Sequence, residues 1–184
     1  MLHQIPIDQH TEMSKNGFTL IELMITIAVL AILLAVGMPS FQSVITSNRM
    51  TSQTNNFLAE LALARSESIK RGIRVSICSS ADITVATPSC ANSPTWGTGW
   101  IIFTDSAGVA GTRDGTDTVL RVGDTPRGEI TLVQAANTFV SYTASGAVTA
   151  QNTFTLCKSG LIGRTITISP TGRASPSNTA AVCS

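Results

Sequence analysis

Two histidines, four cysteines, a handful of carboxylates and one late group of cations are the side chains of this 184-residue sequence with which chemistry could be done. Both histidines, His3 and His10, precede an apolar stretch that begins at Phe18. A chain trimmed ahead of that stretch would hold no histidine, which excludes ordinary Ser-His or Cys-His nucleophilic catalysis and His-based metal sites. No Gly-rich phosphate loop of the P-loop or dinucleotide type follows a candidate strand. The inventory argues against an enzyme and implies neither a cofactor nor a small-molecule substrate.

Asp105, Asp114 and Asp117 share a Gly-rich segment that could hold calcium. The spacing fails the EF-hand pattern, with no oxygen ligand at Ala107 and no closing glutamate, so a turn-rich hairpin loop is the expectation and no metal site is assigned. Trp96 and Trp100, flanking Gly97-Thr98-Gly99, read as anchors of a small core, with a carbohydrate or partner platform as the alternative.

Cys78, Cys90, Cys157 and Cys183 are even in number and lack the Cys-x-x-Cys spacing of zinc or thioredoxin-like chemistry. Behind a membrane-targeting segment they read as disulfides of an oxidising compartment. Three pairings are open; Cys78 with Cys90 and Cys157 with Cys183 are favoured because each pair lies within one local block of turns and strands, and four buried thiols are the alternative. Each bridge would stabilise by about 3 kcal/mol through loop closure.

From Ile130 to Ser184 the charged side chains are Lys158, Arg164 and Arg173, with no Asp or Glu, a local excess of +3 in a chain of net charge +1. Such a face is a candidate contact for DNA phosphates. Its bland alternative is a solvated edge of a sheet.

Glu22 is the most unusual carboxylate. From Phe18 to Met38 it is the only charge, in a run long enough to span a bilayer with little margin. A carboxylate in hydrocarbon is costly and is a functional candidate by default, normally with a partner; snorkelling to the membrane edge is the alternative. Residues 1–17 are polar and end in Ser14-Lys15-Asn16-Gly17, ahead of the apolar run rather than after it. A secretory signal would put its cleavage site on the far side. A cut after Gly17 would keep the apolar segment as the new N-terminus, and Met13 is a second candidate start. Lys15 on one side, with no positive charge until Arg49, orients the leader to the cytoplasm and the bulk of the chain outside.

The elements that must carry these residues follow from periodicity. Past Gly37 and Pro39, which can loosen a helix without ending it, Phe41, Val44, Ile45, Phe57, Leu58, Leu61, Ala64 and Ile69 recur at spacings of three and four. One helix is expected from Phe18 to about Arg71, on the order of 80 Å long, closed by Lys70, Arg71 and a Gly72 cap. Beyond it the period becomes two. Candidate strands are Ile73 to Cys78, Gly99 to Thr104, Thr118 to Val122, Glu129 to Val133, Thr138 to Tyr142, Thr153 to Cys157 and Arg164 to Ser169. The fold class is therefore α+β: a leader at 1–17, a membrane half of the helix at 18–38, an amphipathic half at 39–71, and a β-rich headgroup at 72–184 built on an antiparallel sheet.

The stretch Gly17-Phe18-Thr19-Leu20-Ile21-Glu22-Leu23, with Lys15 before it and Pro39 after the apolar run, resembles the N-terminus of type IV pilins and type II secretion pseudopilins. Further blocks resemble the GspH/FimT family of minor pilins and pseudopilins: Cys78-Ser79, the run from Trp96 to Asp105, the Thr118 to Arg121 strand, and Ile168-Ser169-Pro170-Thr171-Gly172-Arg173. The resemblance implies a pilin fold and cleavage by prepilin peptidase between Gly17 and Phe18. It also implies N-methylation of Phe18, and roles in assembly for Glu22 and Pro39, with Glu22 paired with the Phe18 amine of a neighbouring subunit. Its partners would be other minor and major pilins or pseudopilins, in the bacterial inner membrane with the headgroup in the periplasm, and then in a filament. Three roles stay open: a minor pilin that primes or caps a pilus, a competence pilin that takes extracellular DNA, and a type II secretion pseudopilin. The DNA-binding members carry Gly-Arg-x-Arg where this chain has Gly172-Arg173-Ala174-Ser175, so one phosphate contact is missing.

Overall fold

The computed structural model describes residues 17–159 and 162–183, without the side chains of 36–40, 162, 178–180 and 182. The chain divides into two compact units, Met1–Ser43 and Val44–Ser184, each taken by itself below. The leader expected at 1–17 lies outside the described residues except for Gly17, and so does Met13.

One helix, α1, runs from Leu20–Arg71 through both units. It starts two residues later than periodicity suggests, because Thr19 caps it: the Thr19 hydroxyl accepts the Glu22 amide at 3.2 Å and the Thr19 carbonyl accepts the Leu23 amide at 3.2 Å. It passes through Pro39 and stops at Arg71, where Gly72 takes φ +65°, the left-handed conformation that closes helices at little cost for glycine. In the first unit every described side chain from Phe18 to Ala35 is exposed. Among the described residues no helix is long and apolar enough to cross a membrane, the apolar run being described only to Ala35.

In the second unit α1 turns Met50, Phe57, Leu61 and Ala64 into a core. Two antiparallel sheets meet them, where the sequence suggested one. The first has the order β3-β2-β1-β5, from β1 (Val75–Ser79), β2 (Trp100–Thr104), β3 (Val119–Gly123) and β5 (Phe139–Tyr142). The second has the order β4-β6-β7-β8, from β4 (Thr131–Gln134), β6 (Asn152–Cys157), β7 (Ile162–Ile168) and β8 (Ala174–Val182). β8 is absent from the sequence-based strands. It is an edge strand rich in Ser and Ala with Pro176 inside it, a residue tolerated there because an edge leaves one row of amides unpaired.

β1 and β2 are buried on both faces. Ile77 and Ile102 enter the core under α1, while Cys78, Ile101 and Phe103 pack with Cys90, Val119 and Phe139 on the opposite face. From the second sheet come Leu132, Phe154, Leu156, Ile166 and Ile168. Phe57 sits at the centre, edge-on to Trp96, Trp100 and Phe154 at 5.7, 5.0 and 4.8 Å between ring centroids, the arrangement aromatic quadrupoles prefer. Disulfides join Cys78 to Cys90 and Cys157 to Cys183. The first ties β1 to the loop before β2, and the second ties the end of β6 to the residue after β8.

Candidate functional site

Gly17, Phe18 and Thr19 precede the helix and are exposed, Phe18 at 81%. Among the described residues nothing lies within 4 Å of the position a Gly17 Cβ would take. Glu22 is exposed in the first turn of α1 and closes a Thr-x-x-Glu pattern that begins at Thr19. This is the sequence signature of a capping box, the signal that would have placed the helix start; a negative charge in the first turn also meets the positive end of the helix dipole. Leu20, Ile21, Leu23, Met24, Ile25, Ile27, Val29, Leu30, Ile32, Leu33 and Leu34 surround the same helix and are all exposed, with no polar face among them. A helix apolar all round asks for a bilayer or for other helices. Pro39, the other residue expected to matter in assembly, has its backbone within α1 and its side chain outside the described residues.

The tryptophans are core. Trp96 is fully buried and Trp100 nearly so, which removes the exposed faces a carbohydrate platform would need. The acidic loop is likewise occupied by its own chain. Asp105 is buried and accepts bonds from Arg74 Nη2 at 2.7 Å, Ser76 Oγ at 2.6 Å and the Gly111 amide at 2.8 Å. Asp117 accepts the amides of Ser106 and Asp114. Asp114 holds the hydroxyl and amide of Thr116, which keep its carboxyl below the usual range. No group of acidic, His or Cys side chains among the described residues is arranged to hold a metal.

The three late cations are not brought together. Lys158 follows β6, where its ammonium meets Glu129 at 3.0 Å and the Gly128 carbonyl at 3.2 Å. Arg164, opposite Leu156 near the start of β7, donates to Thr51 Oγ1 on α1 at 2.9 Å. Arg173 lies past the other end of β7, exposed, in a turn whose Thr171 carbonyl accepts from Arg65 at 2.9 Å. Thr51 and Arg65 are fourteen residues apart on one helix, which puts the two ends roughly 21 Å apart. The +3 excess is also smaller in space than in sequence, because Glu129 falls just outside the stretch that was counted.

Sequence reasoning missed two further features. Arg65 joins turns from both sheets, donating through Nε to the Gly146 carbonyl at 3.0 Å and through Nη2 to that of Thr171. Only glycine fits beside it at 172, where φ is +79° and a Cβ would strike the Gly146 carbonyl. The second is the turn at Gly128 and Glu129, left-handed at both residues with φ of 78° and 61°. A non-glycine residue pays for that conformation, and Glu129 holds it where its carboxylate meets Lys158.

The family model described as Type II transport protein GspH matches residues 53–172, and the one described as Prokaryotic N-terminal methylation motif matches residues 13–38. No curated protein sequence matches the chain. The fold is similar to two crystal structures of the type IV minor pilin FimU from Pseudomonas aeruginosa, strain PAO1. One is 25% identical with a TM-score of 0.58, covering 75% of this chain and 96% of that one; the other, in a different space group, is 24% identical with a TM-score of 0.54, covering 72% and 98%.

Proposed function

The chain belongs to the GspH family of pilin-like proteins, and from that premise we propose that it is a minor pilin of a type IV pilus, assembling through its N-terminal helix to prime or cap the filament. The observation that carries this reading is the exposed apolar helical surface from Leu20 to Ala35, interrupted only by Glu22 and Thr26. Thr26 is satisfied internally, its hydroxyl donating to the Leu23 carbonyl at 2.8 Å. Among the described residues no basic side chain pairs with Glu22.

In this reading prepilin peptidase cuts the exposed Gly17–Phe18 peptide in the inner membrane, with the headgroup in the periplasm, and Phe18 becomes the N-methylated terminus. An unpaired carboxylate in hydrocarbon costs roughly 3 kcal/mol on insertion scales, and pairing Glu22 with the Phe18 amine of a neighbour offsets that cost in one axial register only. The partners are other minor and major pilins, and the protein carries out no reaction of its own. Likeness to FimU favours a pilus. The GspH description favours the second reading, a type II secretion pseudopilin with the same helix mechanics. DNA capture is less favoured, since Lys158 and Arg164 stand at one end of the second sheet and Arg173 at the other.

Glu22→Ala tests the assembly reading. The variant is expected to be processed and membrane-inserted normally and to be missing from sheared filaments on immunoblots. Incorporation at the wild-type level would refute the pairing. Cross-linking to pilus subunits or to secretion-system subunits separates the first reading from the second.

A further inference from the structure

Four basic side chains converge on one rim of the Val44–Ser184 unit. Arg49 is on α1 and its guanidinium lies over Gly128, where an added Cβ would come within 3.6 Å of Nη1. Arg127 is in the same turn, its carbonyl accepting from Gln53 at 3.3 Å. Lys158 donates to the Gly128 carbonyl, and Arg164 reaches the opposite flank of α1 at Thr51. Strand register puts all four at one end: Thr131 at the start of β4 faces Cys157 at the end of β6, and Leu156 faces Arg164 near the start of β7. The Cys157–Cys183 disulfide staples the same end. With Glu129 and Asp124 as the nearby acids, the rim carries 4 − 2 = +2, against +1 for the whole chain. Among the described residues Arg49, Arg127 and Arg164 are in no ion pair. Arg49 and Arg127 also line a groove of about 860 Å³ that runs along α1 past Asn56 to Trp100.

We propose that this rim is a docking surface for an anionic phospholipid bilayer, holding the headgroup against the membrane before assembly. It rests on the membrane anchoring proposed above. The rim lies at the end of the unit where its chain begins, and Arg49 follows the expected membrane segment by residues 39–49. Eleven residues cannot reach beyond about 38 Å even when fully extended, and reach about 16 Å as a helix. Within that reach the rim can be brought to the surface of an anionic leaflet, and there each cation drawn to a lipid phosphate contributes a factor of about five in population, an attraction that fades over a screening length of about 8 Å. Arginine suits phosphate because its planar donors bond two oxygens at once. An alternating, self-neutralising rim would gain nothing from lipid charge, whereas here three guanidiniums have no carboxylate of their own. Docking would keep the headgroup low until filament partners displace the lipid.

The test uses the full chain reconstituted in vesicles and its two native tryptophans, Trp96 and Trp100, as energy donors to a dansyl-labelled lipid headgroup. Transfer is expected to rise when phosphatidylglycerol replaces part of the phosphatidylcholine, and to fall again in high salt, where screening shortens to about 3 Å near 1 M. The double variant Arg49→Gln, Arg127→Gln, both exposed and free of structural ion pairs, is expected to lower the docked population about 25-fold and to show no dependence on phosphatidylglycerol. Equal transfer from the wild type in both lipids would overturn the proposal, as would an undiminished gain in the variant. Flotation after alkaline washing separates the two levels: a chain that floats but ignores lipid charge refutes the docking alone, and a chain that does not float refutes the anchoring and the docking together. Duplex DNA retained by the wild type and released by the variant, with lipid-insensitive transfer, would reassign the rim to nucleic acid and also overturn the proposal.

Discussion

Tyr142 is the only tyrosine of the chain, so its ionisation can be read without interference from another phenol. It is fully buried at the end of β5, and among the described residues its hydroxyl has no hydrogen-bond partner. Burial pushes its ionisation far above the ordinary range near 10, and the nearby positive charge of Arg65 lowers it only in part. The folded state therefore prefers the neutral phenol. Stability from this group is complete below pH 10 and is lost as pH rises, because the unfolded chain releases the proton first. While the folded phenol stays protonated, the loss grows by about 1.36 kcal/mol per pH unit and reaches about 2 kcal/mol at pH 11.5. Lysines titrate in the same range, so the measured quantity is the difference between wild type and Tyr142→Phe in urea unfolding at pH 8 and pH 11.5. The variant should lack that loss and, by removing an unpaired buried hydroxyl, should be up to about 1 kcal/mol more stable at neutral pH. Absorbance at 295 nm should rise only together with the collapse of far-UV circular dichroism. A phenol that titrates near pH 10 with the circular dichroism unchanged, or a variant with the wild-type alkaline loss, would refute the reasoning.

Phe57→Ala removes the ring that meets Trp96, Trp100 and Phe154, and should cost about 3–5 kcal/mol, lowering Tm by roughly 10 °C in calorimetry. Replacing Cys157 and Cys183 with alanine opens a loop of sequence separation 26 and should cost about 3.5 kcal/mol, against about 2.8 kcal/mol for the separation of 12 between Cys78 and Cys90, as read by chemical denaturation. Thr19→Ala should weaken the start of α1 by about 1 kcal/mol and speed amide exchange at Glu22 and Leu23, while Thr19→Ser should not.

Local patterns made much of the architecture legible. Spacings of three and four revealed α1, and alternation from Ile73 to Cys78 revealed β1, because side chains of one kind recur on one face of each element. The choice of two sheets was not legible, since strand pairing is decided by partners distant in sequence. β8 was hidden by Pro176 and by small polar residues that an edge tolerates and a central strand would not. Thr19 was readable as a cap from its spacing to Glu22, but the apolar residues around it mask that polar signal. The late cations mislead for a different reason: position in sequence says nothing about which end of a strand a side chain occupies. β7 separates Arg164 from Arg173, and Glu129, one residue before the counted stretch, neutralises Lys158. The basic rim draws half of its members from outside that stretch, at Arg49 and Arg127.

In the proposed filament, tension on a subunit would run along its helix, and the Arg65 side chain sits on that path. Its guanidinium grips a turn that follows β5 in one sheet and the hairpin between β7 and β8 in the other. The bonds end on main-chain oxygens, so a pull on α1 passes through the one Arg65 side chain into both backbones. Shear between the sheets is thereby opposed at the end farthest from the Cys157–Cys183 staple. The headgroup is clamped at both extremities, by a covalent bolt at one and a reversible latch at the other, and under load the latch is the part that yields first and can close again.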